Sequence, residues 1–92
     1  MNDQIKYTEK CYKTTVDLEL EIYLIKFEDE NIISMNVLKN GKHKHHDTLT
    51  DEHPFWSLFK LEQGETITSK KHGETVTCIK VEEAFLWIWI NI

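Results

Sequence analysis

Three neighbouring histidines are the residues of this chain best suited to chemistry. His43, His45 and His46 come directly before Asp47. If this segment is a strand, His43, His45 and Asp47 point to the same side, because side chains alternate along a strand. Imidazole nitrogens and carboxylate oxygens bind zinc, so these three residues are the candidate metal ligands. Their spacing matches no closed zinc motif, and we expect a polar strand edge without a metal.

Lysines interleave with the same histidines and suggest a second chemistry. Lys42, Lys44, His45 and His46 could hold an anionic or nucleotide-like small molecule. No glycine-rich phosphate loop accompanies them. A small-ligand site at this segment is therefore the alternative to a protein-binding function.

Three carboxylates form another candidate site. Asp17, Glu19 and Glu21 alternate with apolar residues. This pattern predicts one acidic strand face with carboxylates about 6.7 Å apart. Such a face could contact a basic surface on another protein. The other interpretation is a solvated outer face that keeps the strand soluble.

The sequence lacks the pattern of a nucleophilic catalyst. Ser34, Ser57 and Ser69 have no nucleophile-elbow context. Cys11 and Cys78 have no activating base or metal spacing, and we expect them to be buried free thiols. We predict that the protein is not an enzyme and requires no cofactor.

Composition narrows the classes of partner. The net charge is −5, and the 11 basic residues are all lysine. Without the planar guanidinium fork of arginine, sequence-specific recognition of nucleic acid is not expected. The chain has no leading apolar segment and no long apolar run, so we expect a cytoplasmic protein with no membrane partner.

The last residues are the most informative for binding. Alternation places Phe85, Trp87 and Trp89 on one side of a terminal strand, with Leu86 and Ile88 on the other. Both sides are apolar, so other parts of the protein or a partner must shield both faces of such a strand from water. A chain of 92 residues has little material for this cover. The cover could come from the helix, from a second sheet or from another protein.

The pattern of residues 14–39 predicts a β-hairpin. Apolar residues at every second position, including Val16 and Leu18, indicate a strand whose core side they form. A turn at residues 29–30 then places Leu24 opposite Met35. Opposed residues share a face, and the apolar sets of the two strands agree.

Turn and helix signals define the middle of the chain. Asn40-Gly41 favours a type I′ turn, followed by a polar edge strand or loop at residues 42–47. Thr50 or Asp51 can cap a helix that has Pro54 in its first turn and stops near Gly64. Residues 65–71 and 74–82 then form strands.

We predict a single α+β domain over residues 1–92. A turn at Glu82-Glu83 leads into the terminal strand. The order is β-β-(β)-α-β-β-β, with five or six antiparallel strands and one short helix. Residues 1–13 are either a further strand or a loosely packed lead-in.

We predict that this acidic protein binds another protein by steric occupation, as do small inhibitors or immunity factors encoded by phage or mobile elements. A second copy of the chain, giving a homodimer, is also a candidate partner. The candidate partner-binding residues are Trp87, Trp89, Phe85, Trp56, Asp17, Glu19 and Glu21. Tryptophan is enriched at binding hot spots, and the carboxylates would steer a basic partner.

Overall fold

A computed structural model describes residues 2–69 and 73–89, with side chains for residues 4–69 and 73–86. Six strands and one short helix follow one another along the chain. They are β1 (Asn2–Thr14), β2 (Leu20–Phe27), β3 (Ile33–Lys39), β4 (Lys42–Leu49), a 3-10 helix (Pro54–Lys60), β5 (Thr66–Thr68) and β6 (Thr75–Trp89). No helix in these ranges is long and apolar enough to cross a membrane.

All strands join one antiparallel sheet in the order β4-β3-β2-β1-β6-β5. This confirms the predicted α+β fold with a six-stranded sheet and one short helix. The first residues of the chain are not a lead-in, because β1 lies between β2 and β6. β1 alternates less clearly than β2, and only the strand order shows that it is central.

The predicted hairpin is confirmed. Leu24 pairs with Met35 and Ile22 pairs with Val37. Asn40 and Gly41 both have positive φ, at 52° and 78°, as a type I′ turn requires. The turn brings β4 back along β3 as an exposed polar edge strand. Apolar matching across β2 and β3 was therefore sufficient to determine their register.

The predicted strand over residues 15–19 is wrong, because these residues lie between β1 and β2. Val16 and Leu18 are 69% and 74% exposed, and they lie in the turn between β1 and β2. The Thr14 hydroxyl accepts a hydrogen bond from Val16 N–H, and the Asp17 carboxylate accepts one from Glu19 N–H. Such local side-chain bonds stabilise a turn at the expense of a strand.

The predicted turn at Glu82-Glu83 is also wrong, because β6 continues through both residues. Each glutamate has a lysine partner within the sheet. Lys80 Nζ lies 2.7 Å from a carboxylate oxygen of Glu82, and Lys6 Nζ lies 3.2 Å from one of Glu83. These ion pairs reduce the repulsion between the adjacent carboxylates, so the strand need not end there.

The helix is shorter and tighter than predicted. It is a 3-10 helix that begins at Pro54 and ends at Lys60, and His53 rather than Thr50 or Asp51 is its N-cap. The His53 Nδ1 atom accepts a hydrogen bond of 3.0 Å from Phe55 N–H. Leu58 is its buried residue.

The hydrophobic core lies between the 3-10 helix and one side of the sheet. Its buried residues are Tyr12, Ile22, Leu24, Ile33, Met35, Leu49, Leu58 and Cys78. Five strands and the helix contribute to it, so a short helix suffices to join the layers. Burying these side chains is the main favourable term in folding.

Two polar side chains of β1 connect the sheet to the end of the 3-10 helix. Lys10 is buried, and its Nζ donates hydrogen bonds to the carbonyls of Phe59 and Leu61 at 2.6 and 3.0 Å. The same Nζ lies 4.7 Å from the centre of the Phe59 ring. The Tyr12 hydroxyl donates to the Leu58 carbonyl at 2.9 Å. Lys10 thus provides a donor for carbonyls at the helix C-terminus, and Tyr12 gives the Leu58 carbonyl a second donor beside Leu61 N–H.

We predict that Tyr12→Phe lowers the free energy of unfolding by about 1–2 kcal/mol, because the buried Leu58 carbonyl loses a donor. Urea titration measures the loss. Tyr7→Phe is the control, since the Tyr7 and Phe27 ring centres lie 5.4 Å apart and the Tyr7 hydroxyl has no hydrogen-bond partner among the described residues. Equal losses in the two variants would contradict this role of the Tyr12 hydroxyl.

Burial raises the pKa of Tyr12 above its ordinary value of 10.0. Above pH 10 the unfolded chain therefore releases this proton while the folded protein retains it. We expect the stability contributed by Tyr12 to be complete below pH 10 and to decline as the pH rises further. Urea titrations from pH 8 to 11 should show a smaller decline for Tyr12→Phe than for the wild type, and parallel declines would refute the prediction.

Candidate functional site

The longest ladder of the sheet joins β1 to β6 and extends past the other strands. It runs from Asn2 opposite Trp89 to Thr14 opposite Val76. The ladder of β1 with β2 begins at Tyr7, and Glu28 N–H, just after β2, donates to the Lys6 carbonyl. Residues 2–6 and 85–89 therefore form an extension that is two-stranded beyond Lys6, here called the terminal ribbon. It contributes to an elongated shape of 53 × 26 × 22 Å.

The outer edge of β6 is open along this ribbon. Near the start of β6, Cys78 accepts a backbone hydrogen bond from Gly64 and donates one to Glu65, both on the side away from β1. Further along, Val81 N–H donates to the side-chain oxygen of Gln63 on the same side. Beyond Val81, no described strand pairs with this edge. Unpaired N–H and C=O groups along a strand are a template for another strand.

Apolar side chains on the ribbon are exposed on both faces of the sheet. Phe85 is 54% exposed and Leu86 is 46% exposed, and adjacent strand residues lie on opposite faces. The side chains of Trp87 and Trp89 lie outside the described residues, although their backbone belongs to β6. The ribbon thus exposes the first two residues of the terminal apolar segment without a described cover.

Trp56 belongs to the 3-10 helix and not to the ribbon. It is partly buried and packs with Phe59 against the core. Its position agrees with the alternative that aromatic residues fill the space between sheet and helix.

The acidic face predicted from alternation does not form. Asp17 and Glu19 lie in the turn before β2, and both contact Lys39, with Nζ to carboxylate distances of 3.2 and 3.8 Å. The Glu19 N–H and Lys39 lower the pKa of Asp17. Glu21 alone lies within a strand. Partial neutralisation by Lys39 leaves this cluster a weaker attractor of basic partners than three free carboxylates would be.

Glu21 has a different environment on the face opposite the 3-10 helix. The Tyr23 hydroxyl donates to its Oε2 at 2.7 Å, and the Cys11 thiol lies 4.0 Å from the same atom. Burial is the main cause that raises the pKa of Cys11. Both cysteines are buried and free, as expected, and a protonated thiol is a poor nucleophile.

The histidines do not converge on one side of β4. The register between β3 and β4 shifts between Val37 and Leu38, so His43 is opposite Leu38 while His45 is opposite Val37. His43 and His45 therefore face opposite sides of the sheet, contrary to the prediction from simple alternation. This irregularity also places Leu49 opposite Ile33 in the core.

The remaining contacts of the histidines are structural. Asp47 lies 3.8 Å from His53 Nε2, and His46 Nδ1 lies 3.0 Å from the side-chain oxygen of Asn36. Within residues 2–69 and 73–89, no three metal-ligating side chains are close enough to hold an ion. The candidate ligands His43, His45 and Asp47 are thus not brought together.

The lysines around the Asn40-Gly41 turn between β3 and β4 border a shallow open cavity of about 530 Å³. Lys39, Lys42, His43 and Lys44 line it together with Asn40. His45 and His46 of the predicted anion site are not part of its lining. Lys39 is paired with carboxylates, so its charge is not free for a ligand.

No protein-family model, curated protein or solved structure matches this chain. The proposed function therefore rests on the geometry of the described residues. Of the predicted sites, the one at the chain end has exposed apolar side chains and an open strand edge together.

Sequence reasoning did not single out Leu86 or Lys10. Leu86 was assigned to a face of the terminal strand, but only the strand order shows that the edge beside it is open. Lys10 is only 6% exposed, which is rare for a lysine. No sequence signal identifies a lysine that binds carbonyls from a distant helix.

We predict that Phe85→Ser changes the free energy of unfolding of a single chain by less than about 0.5 kcal/mol, because an exposed side chain contributes little to the core. Thermal melts at low protein concentration measure the effect. Leu58→Ala, which removes a buried side chain, should cost about 2–5 kcal/mol in the same assay. A large loss for Phe85→Ser would place this residue in the core instead.

Proposed function

We propose that this protein is a non-enzymatic binding factor that docks on another protein through its terminal ribbon. The main support for this proposal is that Phe85 and Leu86 are exposed on opposite faces of a ribbon that extends past the sheet. A strand that is apolar on both faces needs cover on both faces, and contiguous exposed apolar surface marks interaction sites. The proposal retains the cytoplasmic location and the inhibitor or immunity type predicted above.

The charges around the ribbon favour a hydrophobic anchor. Lys6 is paired with Glu83 where the ribbon leaves the sheet, and Lys80 is paired with Glu82 just before it. β6 has no charged residue beyond Glu83. Interfaces are depleted of charge at their centre and enriched in aromatic residues. Phe85, with Trp87 and Trp89 after it, supplies such a centre.

Long-range electrostatics would act on the approach of the partner. The net charge of −5 attracts a basic surface and raises the association rate at low salt. Asp17, Glu19 and Glu21 remain predicted contributors to this steering, with Lys39 reducing the share of the first two. Affinity would then come from burial of the aromatic residues, and the bound partner surface would be blocked.

A small-ligand function at the turn between β3 and β4, where Lys39, Lys42 and Lys44 lie, has less support. The cavity there is open, and one of its three lysines is already paired with carboxylates. A ligand site is normally concave and largely apolar, with a few converging polar groups. The turn has polar groups without such a cavity.

Affinity capture with paired variants tests the proposal. We expect a partner protein that is retained by the wild type and by Ile67→Asp, and that is lost with Phe85→Asp. Ile67 is the matched control, since it is 47% exposed on β5 and lies outside the ribbon. The purified partner must then form a complex of defined mass with the wild type.

Circular dichroism must show that both variants are folded. Retention of the same partner by Phe85→Asp would refute docking through the ribbon. Equal loss with both aspartate variants would show that general surface hydrophobicity, rather than this site, is responsible.

A further inference from the structure

We propose that the outer edge of β6 pairs with β6 of a second copy of this chain, antiparallel and about a two-fold axis at Leu86. The pairing joins two terminal ribbons into one four-stranded sheet. This inference rests on the proposed function, because it describes the form in which the docking surface is presented.

The backbone of β6 has the correct orientation for this pairing. The ladder between β1 and β6 is irregular at Cys11/Tyr12, so the orientation of residues 83–89 follows from positions beyond this point. Val81 directs its N–H away from β1, and Lys6, which is opposite Phe85, directs its carbonyl to Glu28 rather than to β6. Peptide groups alternate along a strand from there. Residues 83, 85, 87 and 89 therefore direct their N–H and C=O groups to the open edge. The residues between them bond to β1. Phe85 of one copy and Trp87 of the other could thus exchange both backbone hydrogen bonds.

The two edges of the ribbon differ in charge. The sequence of the β1 edge contains a charged residue at Asp3, and the Lys6 carbonyl on this edge already accepts from Glu28 N–H. Charged residues disfavour pairing at strand edges. The edge formed by β6 carries no charge from Ala84 to Trp89. An apolar edge of this length without protection is expected to be paired. The β6 edge is therefore the one that pairs.

The sequence of β6 complements itself about Leu86. In this register residues 84–88 of one copy face residues 88–84 of the other, so every opposed pair is uncharged. Glu83 faces Trp89 of the second copy, and the two Glu83 residues are about 20 Å apart along the strands. An axis at Glu83 would instead oppose like charges, which destabilises a strand pair. Leu86 is also the centre of the segment from Glu83 to the end of β6.

The shape of the protomer leaves room for this dimer. Among the described residues, β5 pairs with Thr75–Thr77 and residues 63–65 bond to the same edge as far as Val81, so the edge of residues 83–89 has no described neighbour. β2 lies on the other edge of β1. Antiparallel pairing at residues 84–88 sends the two domain bodies to opposite ends of the joined sheet. The dimer would be longer than the 53 Å of one protomer.

Edge pairing leaves both faces of the joined ribbons uncovered. In this register position 87 of one copy is opposite Phe85 of the other, and the exposed Phe85 and Leu86 side chains of both copies belong to one joined sheet. Each copy thus contributes exposed apolar side chains to the docking surface of the proposed function.

Charge reversal at the two-fold axis tests the pairing. Sedimentation equilibrium of the wild type at micromolar concentration should give twice the 11.0 kDa chain mass. Leu86→Lys and Leu86→Glu should each be monomeric, because like charges then meet at the axis. An equimolar mixture of the two variants should recover the dimer mass, because opposite charges meet there.

Ile67→Lys is the matched control and should remain dimeric, since Ile67 has nearly the same exposure as Leu86. Circular dichroism establishes that all variants are folded. A monomeric wild type at 100 μM, or a mixture that stays monomeric, would overturn the inference.

The two proposals fail in different ways. A monomeric wild type that still captures a partner through Phe85 would refute the dimer and leave the docking function in place. A dimer that captures no partner would leave the edge pairing in place and refute docking on another protein.

Discussion

The pairing of β1 with β6 is the interaction on which the rest of the molecule depends. It joins the two ends of the chain along thirteen opposed residues, and it places β1 inside the sheet. Because β1 is interior, Lys10 and Tyr12 can reach the carbonyls at the end of the 3-10 helix. Because the ladder is longer than the pairing of β1 with β2, it also creates the terminal ribbon. One ladder thus determines both the core and the exposed surface.

Local patterns were sufficient to predict the parts of the fold made by neighbouring segments. The register of β2 and β3 follows from matching apolar residues, and Asn40-Gly41 provides the turn to β4. The prediction failed where short-range hydrogen bonds or ion pairs opposed the pattern. Thr14 and Asp17 bond to backbone N–H groups and hold a turn where alternation favours a strand. Lys6 and Lys80 do the reverse at Glu82 and Glu83.

The candidate site was only partly visible in the sequence. Alternation identified the apolar terminal strand and the difficulty of covering both of its sides. It could not show that the neighbouring edge is open, because strand order depends on contacts between the two ends of the chain. The histidines illustrate the same limit. A single irregularity in the pairing of β3 with β4 places His43 and His45 on opposite faces, and no residue type in that segment predicts it.

Hydrogen exchange of individual β6 amides, followed by NMR, tests most directly whether the open edge is where this protein meets a second chain. The amides of Ala84 and Leu86 point to β1 and should be protected at every protein concentration. The amides of Phe85 and Trp87 point to the open edge and should be protected in concentrated wild-type protein and exchange rapidly on dilution. Rapid exchange of Phe85 and Trp87 at every concentration, or protection that does not change on dilution, would contradict the account.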